Sequence, residues 1–114
     1  MKCDISELKG KTIANVKGLS VESDVVTLTC TDGTAYQMYH DQDCCENVSV
    51  EDVCGDVDDL LSTVVSARCE TSGDSNYERW TFYIIQTLKG AVTIRWYGES
   101  NGYYSVAVDV QQIA

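Results

Sequence analysis

The segment 39–56 contains the residue types best able to bind a metal ion. It holds the chain's only histidine, His40, together with Cys44, Cys45 and Cys54. Imidazole and thiolate groups are the ligands that zinc prefers in closed tetrahedral sites. These four side chains therefore predict a structural zinc site with one nitrogen and three sulfur ligands. Their spacing differs from the paired C-x-x-C pattern of zinc knuckles, so the prediction depends on residue type rather than on a known motif.

Carboxylates in the same segment allow two other metal arrangements. Asp41 and Asp43 lie between the histidine and the adjacent cysteines. They can replace one sulfur ligand or accept the imidazole N–H of His40. Together with the acids of segment 56–59 they could instead bind calcium. The D-x-D-x-D-G register that ends in a glutamate is missing, which disfavours a calcium loop.

The cysteines also allow interpretations without a metal. Cys44 or Cys45 could act as a nucleophile with His40 as its base, but nearby carboxylates raise the pKa of a thiol and disfavour the thiolate. The N-terminus lacks the apolar run of a secretory signal, so we expect a reducing cytosol and few disulfides. The cysteines in or beside apolar segments are expected to be small buried hydrophobic residues: Cys3, Cys30 and Cys69.

Acidic residues are concentrated in one half of the chain. The formal net charge is −10, with 18 Asp and Glu against 8 Lys and Arg, and the span 18–67 contains neither lysine nor arginine. Such a negative field repels nucleic acid and attracts basic surfaces or cations. We therefore predict a basic protein partner, with no direct contact to nucleic acid or membrane. The predicted partner-binding residues are Asp41, Asp43, Glu46, Glu51, Asp52, Asp56, Asp58 and Asp59.

Strand patterns predict an α+β fold that is mostly β, in a single domain over residues 1–114, with an antiparallel sheet and one or two short helices. Alternating segments 25–30 and 35–40, joined by the turn 31–34, predict a β-hairpin that ends at His40. Asp56 is the predicted N-cap of the second of two helical segments, 5–8 and 56–62. Further strands are predicted at 11–19, 47–53, 63–70, 77–88, 91–97 and 103–110.

The last three predicted strands read as an antiparallel meander with large apolar residues. Two stripes are expected in the core: Trp80, Phe82 and Ile84 on one strand, and Val92, Ile94 and Trp96 on the next. The tyrosines expected on the second face or at an interface are Tyr83, Tyr97 and Tyr103.

Four sequence blocks together resemble a family of small acidic proteins encoded by bacteriophages and prophages. They are H-x-Q-D-C-C-E at 40–46, E-D-V-C-G-D at 51–56, T-I-R-W-Y-G at 93–98 and N-G-Y-Y at 101–104. The resemblance covers nearly all of the chain from Leu8 onward. In size, acidity and phage association the chain is also similar to anti-CRISPR proteins, among which zinc-containing inhibitors of Cas9 occur.

The resemblance implies a monomeric, non-catalytic protein that binds a Cas9-type nuclease stoichiometrically in the cytoplasm of a host bacterium. Such nucleases hold nucleic acid in positively charged channels, which an acidic domain can occupy. Two alternatives remain open from the sequence. One is a different phage counter-defence module that sequesters a signalling nucleotide or another host protein, and the other is an enzyme that uses the Cys/His cluster.

Overall fold

The structure is a computed structural model, and it describes residues 2–40, 46–72, 78–100 and 107–114. The strands are β1 Lys2–Cys3, β2 Ile13–Lys17, β3 Val25–Cys30, β4 Ala35–Tyr39, β5 Glu46–Cys54, β6 Val64–Ser72, β7 Glu78–Thr87, β8 Ala91–Ser100 and β9 Asp109–Gln112. Two 3-10 helices span Ile5–Leu8 and Val57–Leu60. The fold is mostly β with minor helix, which confirms the predicted fold class.

The first sheet has the strand order β1-β9-β4-β3-β2 and is built around the predicted hairpin of β3 and β4. Alternation gives this hairpin one apolar side, where Val26 pairs with Met38 and Leu28 with Tyr36. In the turn between the strands, the Asp32 carboxylate accepts the Thr34 N–H. The hairpin is therefore confirmed, and β4 ends one residue before His40.

The second sheet has the order β5-β8-β7-β6, so β6, β7 and β8 form an antiparallel meander in chain order. A tight turn joins β7 to β8, and Thr87 N–H donates to the Gly90 carbonyl across it. A loop from the first sheet meets the edge strand β5, because Glu22 N–H donates to the Val50 carbonyl and Val50 N–H to the Ser23 carbonyl. Backbone hydrogen bonds therefore tie the two sheets together.

One core lies between the inner faces of the two sheets. The first sheet contributes Leu28 and Met38, and the second contributes Ile94 and Trp96. Leu60 of the second 3-10 helix is wholly buried in the same core. Burying a large apolar side chain stabilises a fold by roughly 1.5–3 kcal/mol relative to exposure, so this shared core is the main force that holds the sheets face to face.

The predicted C-terminal meander is wrong in its third strand. β9 pairs with β4 and β1 of the first sheet rather than with β8. β8 also continues to Ser100, beyond the predicted end of this strand at residue 97. The meander instead begins with β6. The segment 101–106 lies outside the described residues, and the predicted position of Tyr103 lies there with it.

The predicted facing of β7 is also wrong. Thr81, Tyr83 and Ile85 are buried on the inner face, which places Trp80, Phe82 and Ile84 on the outer face, where each is only partly buried. Both phases of this strand carry large apolar side chains, so alternation alone could not choose between them. The stripe on β8 is confirmed, because Val92, Ile94 and Trp96 are wholly buried.

The second 3-10 helix and the cysteines can be compared with their predictions. Asp56 caps the helix by accepting the Asp58 N–H, as predicted. Cys30 is buried, as predicted, but Cys69 is exposed beside an open groove. The Cys3 side chain lies outside the described part of the structure. Among the described residues, no helix is long and apolar enough to cross a membrane.

Candidate functional site

The outer face of the second sheet carries an aromatic cluster. On this face, β7 and β8 place Trp80 opposite Tyr97, and Phe82 opposite Arg95. All four side chains are partly buried, and Ile84 continues the apolar row along β7. Within the described ranges, no helix or strand packs over this side of the sheet. We call Trp80, Phe82, Ile84, Arg95 and Tyr97 the aromatic face.

Trp80 is at the centre of the aromatic face. Its ring centroid lies 4.6 Å from that of Tyr97, with the planes inclined by 50°. On the other side, Cζ of Arg95 lies 5.3 Å from the Trp80 ring centroid, which is within the range of a cation–π contact. Cross-strand contacts of this kind fix the side chains relative to the sheet. Trp80 is thus held in place while part of its ring stays accessible.

Arg95 connects the aromatic face to two acids of β5. Its Nε donates to Glu51 Oε2 at 2.6 Å, and its Nη2 to Asp52 Oδ2 at 3.4 Å. A β-bulge between Val50 and Asp52 brings both consecutive carboxylates to the same guanidinium. The hydrogen bond that Arg95 donates to Glu51 is the main cause that raises the pKa of Arg95.

Two further acids lie at the other end of the aromatic face. Glu78 and Glu99 are direct cross-strand partners. They form the next pair on the same face beyond Trp80 and Tyr97. The Tyr97 hydroxyl donates to Glu78 Oε2 at 3.2 Å. Partial burial, and then this bond to Glu78, raise the pKa of Tyr97. Aromatic rings therefore lie between two acidic pairs, and only the pair on β5 is matched by an arginine among the described residues.

Of the predicted metal ligands, the structure describes His40 and Cys54. His40 follows β4, and its Nδ1–H donates to the Ala107 carbonyl at 2.6 Å. Cys54 ends β5 and donates to Asp52 Oδ2 at 3.8 Å. The eight steps of β5 from Glu46 to Cys54 span about 26 Å in an extended strand, far more than the ligand shell of one ion. Cys54 therefore lies at the far end of β5 from Glu46, and its role as a zinc ligand stays a prediction.

The remaining ligand prediction is not changed by the structure. Cys44 and Cys45, with Asp41 and Asp43, lie outside the described residues. The described residues contain no group of three or more His, Cys, Asp or Glu side chains placed to hold a metal. The hydrogen bond from Nδ1 of His40 selects the tautomer in which Nε2 is an acceptor, as a metal-ligating histidine requires. Zinc binding by His40, Cys44, Cys45 and Cys54 stays a prediction.

The predicted partner-binding acids that the structure describes fall into two groups. Glu51 and Asp52 lie at the margin of the aromatic face beside Arg95. Asp56 is the helix N-cap, and Asp58 and Asp59 follow it in the first turn. These three acids lie near the end of β8 that is remote from Glu99. They have a local role there, because they oppose the positive end of the helix dipole. The side chain of Glu46 lies outside the described residues.

A groove near the N-terminus contains a second group of polar side chains. It has a volume of about 380 Å³ and is lined by Asp4, Cys69, Tyr83 and Asp109, among others. Although Cys69 is exposed overall, partial desolvation where it lines the groove raises the pKa of its thiol, and the nearby Asp4 carboxylate raises it further. Such a thiol is protonated at neutral pH and is a poor nucleophile. The Tyr83 hydroxyl donates to the Val108 carbonyl at 3.2 Å, which gives it a structural role.

The chain matches the model of a known protein family. The model of a domain of unknown function, DUF7448, matches residues 6–110. The chain belongs to this family. The matched range includes the aromatic face, the Glu78–Glu99 pair and His40. No curated protein and no solved structure matches the chain.

Sequence reasoning missed the aromatic face because it assigned Trp80, Phe82 and Ile84 to the core. A signal for it is present in β7. Large apolar side chains occupy both phases of this strand from Trp80 to Ile85, as in strands that are covered on both sides. On the neighbouring strand β8, Arg95 lies between Ile94 and Trp96, so it marks the face of β8 that points away from the core. Taken together, these patterns indicate an outer face that is apolar in part.

Proposed function

We propose that this DUF7448 domain is a non-catalytic binding protein that inhibits a basic, nucleic-acid-handling partner by occupying its surface. The aromatic face carries the proposal. It combines exposed parts of Trp80, Tyr97 and Arg95, the three residue types most enriched in energetic hot spots of protein interfaces. The resemblance found in the sequence makes a Cas9-type nuclease the first partner to test.

Charge supports a basic partner over other classes. The chain has a formal net charge of −10, and acids flank the aromatic face at both ends, with Glu51 and Asp52 on one side and Glu78 and Glu99 on the other. Opposite charges across an interface raise the association rate and exclude partners of like charge. Nucleic acid is such a like-charged ligand, so stacking of bases on these aromatic rings is disfavoured.

Inhibition by occupancy needs no reaction at the aromatic face. A partner surface that normally receives the phosphate backbone presents lysine and arginine side chains. An acidic domain bound there excludes nucleic acid for as long as it stays bound. One copy of the domain per partner molecule is then sufficient, and inhibition follows the molar ratio without turnover.

The proposal can be tested by co-elution with purified Cas9 on a sizing column. We expect a complex at about 0.1 M salt that weakens strongly at about 0.5 M salt, because exposed charges are screened over a shorter distance. Trp80→Ala and Tyr97→Ala should each weaken binding by about tenfold or more, as expected for central aromatic anchors. The same variants should restore cleavage of target DNA.

Tyr39→Ala is the matched control. Tyr39 is a partly buried tyrosine on the outer side of β4, in the first sheet. This variant should bind like the unchanged protein. Equal losses in Tyr39→Ala and Tyr97→Ala would remove the aromatic face from the proposal. A chain that neither co-elutes with Cas9 nor slows its cleavage would remove Cas9 as the partner.

A further inference from the structure

We infer that the aromatic face binds arginine side chains of its protein partner, beside the Trp80–Tyr97 pair. This inference rests on the proposed function, because it specifies the partner chemistry that the same face contacts. It commits to a protein segment that carries arginines, rather than to a metal ion, a lysine-rich segment or a nucleic acid.

The protein's own Arg95 provides an internal example of the recognition. Its guanidinium lies over one side of Trp80 and pairs with Glu51 and Asp52 at the same time. A planar, delocalised cation can stack on an aromatic ring and also present N–H donors at its edge. The combination of one ring and two carboxylates therefore already holds one guanidinium on this sheet.

The opposite side of the Trp80–Tyr97 pair repeats the same chemical groups without a described cation. Glu78 and Glu99 face each other directly across β7 and β8, and both are exposed. Neither pairs with a lysine or arginine among the described residues. Like charges directly opposed across an antiparallel pair destabilise it. A cation placed between them relieves this repulsion and contacts the adjacent rings.

Arginine fits this position better than lysine does. A carboxylate pair beside an aromatic surface matches the flat fork of a guanidinium, which forms two parallel N–H···O bonds with one carboxylate. An ammonium group is compact and strongly hydrated, so it loses more solvation when it moves against a ring. Both residue types are attracted by the negative charge of this site. The partner segment is nevertheless expected to bind through arginine, because only the guanidinium matches the rings and the carboxylates together.

The experiment compares two peptides of equal charge by calorimetry at about 0.15 M salt, where exposed charges are partly screened. A hexa-arginine peptide should bind at least about tenfold more tightly than a hexa-lysine peptide. The double variant Glu78→Gln, Glu99→Gln should lose most of this preference. Trp80→Leu should also lose it, because the stacking surface is removed.

The double variant Asp58→Asn, Asp59→Asn is the charge-matched control. It removes the same formal charge at the other end of β8, about 26 Å away by strand geometry, and should keep the preference for arginine. Equal affinity for the two peptides, or equal losses in the two double variants, would overturn the inference.

These outcomes separate the inference from the proposed function. If arginine preference is absent while Cas9 co-elution still depends on Trp80 and Tyr97, the inference fails and the proposed function stands. If arginine preference is present and depends on Glu78 and Glu99, the inference holds even where Cas9 is not the partner.

Discussion

The two sheets present outer faces of different chemistry. On the first sheet, the outer side chains of β3, β4 and β9 include Thr27, Gln37 and Gln111, and the Gln111 amide donates to Gln37 Oε1 at 2.9 Å. On the second sheet, the corresponding positions hold Trp80 and Tyr97, with their neighbours on the aromatic face. On the first sheet, neutral polar side chains form hydrogen bonds with one another. On the second sheet, large aromatic rings stay partly accessible.

This difference supports the aromatic face as the site of the proposed binding. A sheet with one face on the core and one in solvent normally alternates apolar and polar residues, as β3 does. β7 is apolar on both faces, a composition typical of covered strands, yet no described element covers its outer side. A surface of that kind marks an interaction site more often than chance exposure does. The first sheet serves to complete the core.

The first test of this comparison replaces one tryptophan on each side of the second sheet. Trp96→Ala should lower the free energy of unfolding by about 3–5 kcal/mol, because it leaves a cavity in the core. Trp80→Ala should lower it by roughly 1 kcal/mol, since only cross-strand contacts are lost. Urea unfolding followed by circular dichroism measures both. Similar losses in the two variants would show that Trp80 belongs to the core after all.

The second test concerns the segment 41–45, which connects the two sheets between His40 and Glu46. If the predicted zinc is bound there, chelation should lower the melting temperature by about 10 °C or more. Elemental analysis should find one zinc per chain, lost in His40→Ala, and the same analysis of Cys54→Ser tests whether Cys54 is the fourth ligand. A purified chain without stoichiometric zinc would disprove the predicted site.

The third test compares a glycine from each sheet. Gly55 follows β5 at φ +113°, and a Cβ there would lie 2.6 Å from the Ala91 carbonyl oxygen. Gly33 in the β3–β4 turn has φ +89° but open space around it. Gly55→Ala should therefore cost about 2 kcal/mol or more and Gly33→Ala about 1 kcal/mol. Thermal unfolding of both variants measures the difference, and the reverse order would contradict the packing at the end of β5.

The smallest effect is expected from an ion pair of the first sheet. Lys11 Nζ lies 2.7 Å from Asp32 Oδ2, and this contact, with hydrogen bonds from Thr34, lowers the pKa of Asp32 below its ordinary 3.8. A lowered carboxyl pKa stabilises the fold above the ordinary value, and that stabilisation is lost as the pH falls toward the folded-state pKa.

Asp32→Asn should therefore be slightly less stable than the unchanged chain at pH near 7, with the gap closing in strongly acidic solution. Urea midpoints across this pH range give the comparison. A gap that stays constant with pH would mean that the pair with Lys11 does not contribute. Glu51→Gln gives the same comparison on the second sheet, where the partner Arg95 stays charged over this whole pH range.

Local patterns in the sequence were sufficient for most of the elements. Alternation over 25–30 and 35–40 predicted the first hairpin, and the short gap between the predicted strands 77–88 and 91–97 matches the turn between β7 and β8. Asp56 was predicted as a helix N-cap and accepts the Asp58 N–H as expected. These features depend on residues close in the chain, so their energetics are present in any local window.

The tertiary structure decided which strands became neighbours and which face of β7 met the core. β9 joins β4, about 70 residues earlier in the chain, because Val110 completes the inner row beside Met38. In β7 both phases are apolar, so only packing against the first sheet selects Tyr83 and Ile85 as the inner pair and leaves Trp80 outside. The sequence by itself determined the strands and the charge. The pairing of distant strands determined the aromatic face, because burial depends on what lies opposite a side chain.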